Sequence, residues 1–254
     1  MVTPTGEVRR VADTILGRIV DGAYPCGLRL PSEAALGEEL SCGRSTVREA
    51  LRYLADLGLV RSRRGSGAMV LDYRREGTPA LLPTYLRLGK LDAPPARVAR
   101  ELLHLRTLMA IEAVRLAACY AEPAALDEAR ALLAAAPKLE QNPAAHAVNE
   151  LELYRALVVA SGMWPATWMV NAFWAPLREI NTMFAPAMGP VNPDFQDTMT
   201  RLLDRIAAGD EAAAIGLASR WFEKVDTKLV RIIELTLGDD ADDPPFAQGA
   251  RGSS

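Results

Sequence analysis

The chain has 254 residues, half of them hydrophobic and 24% charged, with a net charge of −3; it has room for two cored domains and is neither disordered nor fibrous in composition. No run of about 18 apolar residues lacks charge, which excludes a helical membrane span, and the opening MVTPTGEVRR has no apolar stretch of the kind a signal peptide needs. Cys26, Cys42 and Cys119 are widely spaced and form no C-x-x-C pair, as suits small thiols in a reducing cytoplasm.

In chain order, Val8 to Ala23 places Val8, Val11, Ile15, Ile19 and Val20 three or four residues apart, the spacing of one helical face. YPCGLRLPSE follows as an extended turn. Ser32 is an N-cap for a short helix ending near Leu40, and Ser41-Cys42-Gly43 makes a turn. A second helix is predicted from Ser45 to Leu57, with Val47, Leu51 and Leu54 inward and Gly58 ending it. Leu59–Arg63 and Ala68–Leu71 read as two short strands around Gly65-Ser66-Gly67. The first domain is thus expected to span residues 1–73.

From residue 74 nearly everything reads as helix. The candidates are Pro79–Leu88, Pro95–Tyr120, Pro123–Glu140, Pro143–Ala160, Pro165–Phe184, Pro193–Ala208 and Glu211–Leu237. Several open with Pro, whose missing N–H is harmless in a first turn. About seven helices rich in Ala, Leu and Met imply a bundle with its own core over residues 74–238. The remainder, 239–254, is acidic and then Pro/Gly/Ser-rich, the composition of a disordered tail. The fold class is mainly α: a winged helix-turn-helix followed by a helical bundle.

The charge is unevenly placed. Residues 1–76 hold 12 arginines, no lysine and 10 acidic residues, a balance of +2, so the rest carries −5. The arginines cluster at Arg44 and Arg48, and again at Arg61, Arg63 and Arg64, and local clustering is what phosphate binding requires. Arg44, at the mouth of the second helix, can fork onto guanine O6 and N7, and Arg48 lies four residues on along the same face. Ser45 and Thr46 supply hydroxyls to phosphate oxygens at the positive helix end. Arg64, with Gly65, Ser66 and Gly67, forms a wing that can approach the flanking backbone closely. Together these point to double-stranded DNA as a partner.

LPSEAALGEEL, GRSTVREALRYLADLGLV and RRGSGAMV resemble the GntR family of bacterial transcription regulators, whose members carry an LPSE-x-x-L-A segment, an R-[ST]-x-[VL]-REAL helix and a G-x-G wing. The chain departs at Gly43, where relatives have Ser or Thr, and at Ala34, where many have a DNA-reading arginine. ARELLHLRTLMAIEAVRLAA around Arg106, NELELYRALVVASG around Tyr154 and LLDRIAAGDEAAA resemble the FadR subfamily. The resemblance implies a homodimer on a palindromic operator and a small-molecule effector in the bundle.

Many members of that subfamily hold a divalent metal through an Asp, a His four residues on and two later His. The matching positions here are Glu150, Tyr154, Met199 and Trp221. Met and Trp do not suit such a cation, and the only histidines are His104 and His146, so no metal and no cofactor is expected. Tyr154, Met199 and Trp221 would instead line an apolar cavity, joined by the Met- and aromatic-rich stretch Met163, Trp164, Trp168, Met169, Phe173, Trp174, Met183 and Phe184; a core role fits the same residues. Arg106, among apolar neighbours, is costly unless an anion pairs with it. That anion is either an effector group or a structural partner such as Glu150 or Glu112. The metal-free, acyl-CoA-responsive branch of the subfamily makes a fatty acyl-CoA or related derivative the first expectation for the effector, with a small carboxylate as the alternative. A lipid carrier without a DNA role is a rival from another class, which the wing and the Arg44/Arg48 pair disfavour. No nucleophile elbow, Gly-rich phosphate loop or paired His and carboxylate signature supports an enzyme.

Overall fold

A computed structural model describes residues 4, 6–63, 67–88 and 93–237. The chain divides into two compact units, Met1–Asp92 and Ala93–Ser254.

The first unit opens with α1 (Gly6–Val20), which buries Val11, Ile15, Leu16 and Ile19. α2 (Glu33–Glu39) starts where the Ser32 hydroxyl accepts the Ala35 N–H at 3.1 Å. α3 (Arg44–Asp56) turns Val47, Ala50, Leu51 and Leu54 inward. The turn between α2 and α3 is closed by the Cys42 N–H donating to the Gly37 carbonyl at 2.9 Å. A Cβ on Gly37 would lie 2.9 Å from the Cys42 carbonyl oxygen, so glycine lets the two helices meet this closely. β1 (Val60–Arg63) and β2 (Gly67–Val70) pair antiparallel, Val60 opposite Val70 and Arg63 opposite Gly67. A third strand-like segment was not foreseen: the Leu30 N–H donates to Ala68 and the Val70 N–H to Leu28, with a bridge between Arg29 and Met69. The extended YPCGLRLPSE segment thereby gains partners for its backbone groups.

α4 (Tyr73–Glu76) and α5 (Leu82–Leu88) follow. The sequence assigns this segment to the second domain, yet Leu81 is buried in the core formed by α1, α3 and the strands. The Thr78 N–H also donates to the Leu57 carbonyl at 3.1 Å.

The second unit contains α6 (Pro95–Tyr120), α7 (Asp127–Ala135), α8 (Pro143–Ala160), α9 (Trp164–Phe184), α10 (Phe195–Ala207) and α11 (Glu211–Leu237). Its core gathers Val114, Leu126, Leu153, Leu157, Met199, Leu202 and Phe222. The predicted helix over Pro123–Glu140 is interrupted. Only Asp127–Ala135 is α-helical, between 3-10 turns at Pro123–Leu126 and Ala136–Leu139, because Pro137 has no N–H to continue the ladder. Among the described residues, no helix is long and apolar enough to cross a membrane.

Candidate functional site

The first candidate surface is the opening turn of α3. Arg44 stands at its first position behind Gly43, whose backbone is extended and which provides no side-chain cap. The first-turn N–H groups therefore keep their capacity for an incoming acceptor. A guanidinium beside the positive end of a helix dipole is a local electrostatic cost that a bound phosphate or guanine edge removes. Arg44 is exposed and makes no ion pair among the described residues. Ser45 is also exposed. Thr46 donates its hydroxyl to Glu7 at 3.4 Å.

Arg48 is held differently from the expectation. Its Nη2 donates to Glu33 at 2.7 Å and its Nε to the same carboxylate at 3.1 Å. The arginine's hydrogen bonds hold the Glu33 carboxyl below its ordinary range. Glu33, from α2, thus occupies the Arg48 guanidinium. Arg61, of the second arginine cluster, pairs with Glu76 at 3.0 Å. Gly67 opens β2 at φ 77°, a conformation glycine adopts without strain. Arg64, Gly65 and Ser66, named from the sequence for the wing, lie outside the described residues.

The second candidate site is a cavity within the helical unit, between α6, α8, α9 and α11. It is open to solvent on one side, and the space within it that admits the centre of a water molecule is about 70 Å³. Met109, Ala110, Ala113, Val158, Val170, Trp174, Leu177 and Phe222 give it apolar walls, and Arg106, Glu150, Tyr154, Arg155 and Asn181 bring polar groups to it. Mostly apolar walls with a few converging polar groups are the usual make-up of a small-molecule site.

Arg106 has a structural partner, and it is neither Glu150 nor Glu112. Its Nη2 donates to Asp226 of α11, whose other carboxylate oxygen accepts the Thr107 hydroxyl at 2.7 Å. The guanidinium also lies 5.1 Å from the centre of the Phe222 ring, a cation–π distance. One group stays unused: the Arg106 Nε is buried and has no hydrogen-bond partner. A buried unpaired donor costs about 1–3 kcal/mol, which an acceptor entering the cavity would recover.

Glu150 accepts the Trp221 indole N–H at 3.2 Å. Burial pushes its carboxyl above the ordinary range, opposed by the nearby Arg106. Tyr154, also pushed up by burial, donates its hydroxyl to the Met199 sulfur at 3.7 Å, a weak acceptor. A ligand oxygen would satisfy that hydroxyl better.

Of the residues assigned to the effector cavity, Arg106, Glu150 and Tyr154 line it. Met199 does not: it is fully buried behind Tyr154 in the core. Trp221 closes the far side of Glu150, facing a separate cleft with His146, Lys224 and Lys228. The Met- and aromatic-rich stretch is also redistributed. Trp174 alone of that set lines the cavity; Trp164, Trp168 and Met169 are 64–71% exposed at the start of α9. Helix α9 is apolar on nearly every side, so its sequence does not reveal which face turns inward. Asp226, Asn181 and Arg155 were missed because polar residues on long helices read as solvated surface. Among the described residues there is no cluster of three or more His, Cys, Asp or Glu placed to hold a metal.

Residues 7–70 match the family described as bacterial regulatory proteins, gntR family, and residues 101–223 match the FCD domain. The HTH-type transcriptional regulator Mce2R of Mycobacterium tuberculosis is 32% identical over 242 residues, covering 91% of this chain and 95% of that protein. The fatty acid metabolism regulator protein of Serratia proteamaculans is 31% identical over 148 residues, 58% of this chain and 59% of that protein. A solved structure described as Lar, which controls expression of the Listeria monocytogenes agr system, shares the fold. It is 15% identical, with a TM-score of 0.58 over 91% of this chain and 99% of that one. A helix-turn-helix with an exposed arginine at the mouth of its second helix, a bundle enclosing a cavity and family matches over both parts agree, and the chain belongs to the GntR family of bacterial regulatory proteins, FadR-like subfamily, as a transcription regulator with an effector-binding FCD domain.

Proposed function

We propose that the protein is a cytoplasmic homodimer that binds a palindromic operator and changes its DNA affinity when a fatty acyl-CoA or related fatty-acid derivative enters the cavity of the helical domain. The observation that carries this reading is that cavity: an apolar enclosure in which Arg106 Nε and the Tyr154 hydroxyl lack a good acceptor. Support for the ligand class comes from relatives named as fatty acid metabolism regulators. Arg44, Ser45, Thr46 and Arg48 contact DNA in this scheme, with the wing alongside. Ligand acts by favouring a dimer geometry in which the two recognition helices no longer match successive major grooves.

The test is an operator selected from random DNA, followed by titration of the complex with acyl-CoAs of increasing chain length. Affinity rises with length if the walls hold the chain, since each buried methylene is worth about 0.8 kcal/mol. Arg44→Ala weakens binding to the selected operator by about 1–3 kcal/mol with the fold intact. A small carboxylate is the second reading, favoured by the two arginines at the cavity, Arg106 and Arg155. It predicts no dependence on chain length, and a flat series sinks the acyl reading.

A further inference from the structure

Glu33 is the first residue of α2, which the Ser32 hydroxyl caps at the Ala35 N–H. Its carboxylate takes the Arg48 guanidinium side-on: Nε donates to both oxygens at 3.1 Å, and Nη2 to one of them at 2.7 Å. A guanidinium carries five N–H donors in a flat fork. This pairing uses the Nε hydrogen and one on Nη2. The other Nη2 hydrogen and both on Nη1 remain, and Nη1 makes no hydrogen bond among the described residues.

The edge that remains, Nη1 with Nη2, is one that can fork onto guanine O6 and N7. The Arg48 side chain keeps 70% of its exposure, and it lies one turn along α3 from Arg44 on the same face. An exposed ion pair adds little to stability; what it fixes here is orientation. A long arginine side chain otherwise loses its rotamer freedom only when it meets the base.

Charge acts in the same sense as geometry. The hydrogen bonds from Arg48 hold the Glu33 carboxyl below its ordinary range, and the charges of Arg48 and Arg44 add to this, so Glu33 is anionic when the protein meets DNA. A phosphate on the free edge would place a second anion across the same guanidinium, and the two would repel. A guanine edge is a neutral acceptor and meets no such repulsion.

We infer that Glu33 is a positioning residue that determines specificity: from one edge of Arg48 it aims the other at a guanine and disfavours a phosphate there. It acts through Arg48 and touches no base itself. This rests on the DNA-binding reading above and goes beyond it by assigning discrimination between operator and other DNA to an acidic residue of α2.

Glu33→Gln, which keeps the length and removes the charge, tests it in the full chain with and without Arg48→Ala. Fluorescence anisotropy over a series of salt concentrations measures affinity for an operator selected from random DNA and for an unrelated duplex of equal length. In Glu33→Gln the unrelated duplex is bound more tightly, with a salt slope steeper by about 0.9 for one added phosphate contact. The ratio of operator to unrelated affinity falls by about tenfold, within the range of one bidentate guanine contact. With Arg48→Ala already present, the same substitution changes that ratio by less than about twofold, as for a residue whose partner is gone. A ratio unchanged by Glu33→Gln, or an equal fall with and without Arg48, overturns the assignment and leaves the DNA-binding reading standing. Failure of wild type to select any operator overturns both.

Discussion

Replacing Arg106 with Met tests whether this arginine belongs to the domain's framework, to the ligand, or to both. The methionine retains most of the apolar stem and removes the guanidinium, with its pairing to Asp226 and its cation–π contact with Phe222. Asp226 then keeps one short hydrogen bond, from Thr107 at 2.7 Å, and loses its cation. Breaking a fully buried pair by removing one partner costs about 3–5 kcal/mol. Here the two side chains retain 15% and 24% of their exposure, so water screens part of the orphaned charge and the loss falls to about 2–3 kcal/mol. Adding Asp226→Asn removes that orphan, while the amide oxygen still accepts from Thr107. The double variant is therefore expected to be more stable than Arg106→Met alone, with a coupling of about 1–3 kcal/mol between the sites. Denaturant unfolding followed by tryptophan fluorescence measures this cleanly, because all four tryptophans lie between residues 164 and 221, within the helical unit. A coupling below about 0.5 kcal/mol refutes the pair as a structural element. The double variant also serves in ligand titrations: it restores stability without restoring the cation, so loss of effector binding there is attributable to Arg106 itself.

Glu150→Gln keeps the acceptor for Trp221 and cannot ionise. Burial raises the folded-state pKa of Glu150 above its unfolded value of about 4.3. Its stabilising contribution is therefore complete at acid pH and is lost as pH rises through the folded pKa. The stability of Glu150→Gln relative to wild type should grow as pH rises above about 4, and parallel profiles would exclude a raised Glu150 carboxyl. Gly58→Ala should destabilise the DNA-binding unit by more than about 3 kcal/mol: φ is 79° and the new Cβ would stand 2.0 Å from the Glu76 carbonyl oxygen. Calorimetry of the isolated transition of that unit checks it. Gly43→Ser should stabilise the same unit by a few tenths of a kcal/mol (~0.3), since the backbone is already extended and the nearest atom to the new Cβ is 3.6 Å away; an unchanged or lowered melting temperature would mean that the introduced hydroxyl does not cap α3.

The chain's local signals determined its local structure. Ser32 before α2, Gly58 after α3 and the three- and four-residue spacing of Val47, Leu51 and Leu54 each act within a turn or two of themselves, so the helix-turn-helix was legible from residues alone. The exposed arginine at the mouth of α3 was legible for the same reason, because a helix fixes which residues share its first turn. What the sequence left open was every relation across the fold. Asp226 meets Arg106 from 120 residues away, Met199 withdraws behind Tyr154, and Leu81 joins the first core instead of the bundle. Arg48 and Glu33 satisfy one another across the turn, a pairing that no spacing on either helix announces. On α9 apolar residues surround the axis, so only its packing against α8 and the closure of the bundle decide that Trp174 and Leu177 line the cavity while Trp164 and Trp168 face water. Periodicity gives each helix its faces; which face finds which partner depends on the long-range closure of the bundle, where burial is gained by whole surfaces rather than by neighbours in the chain.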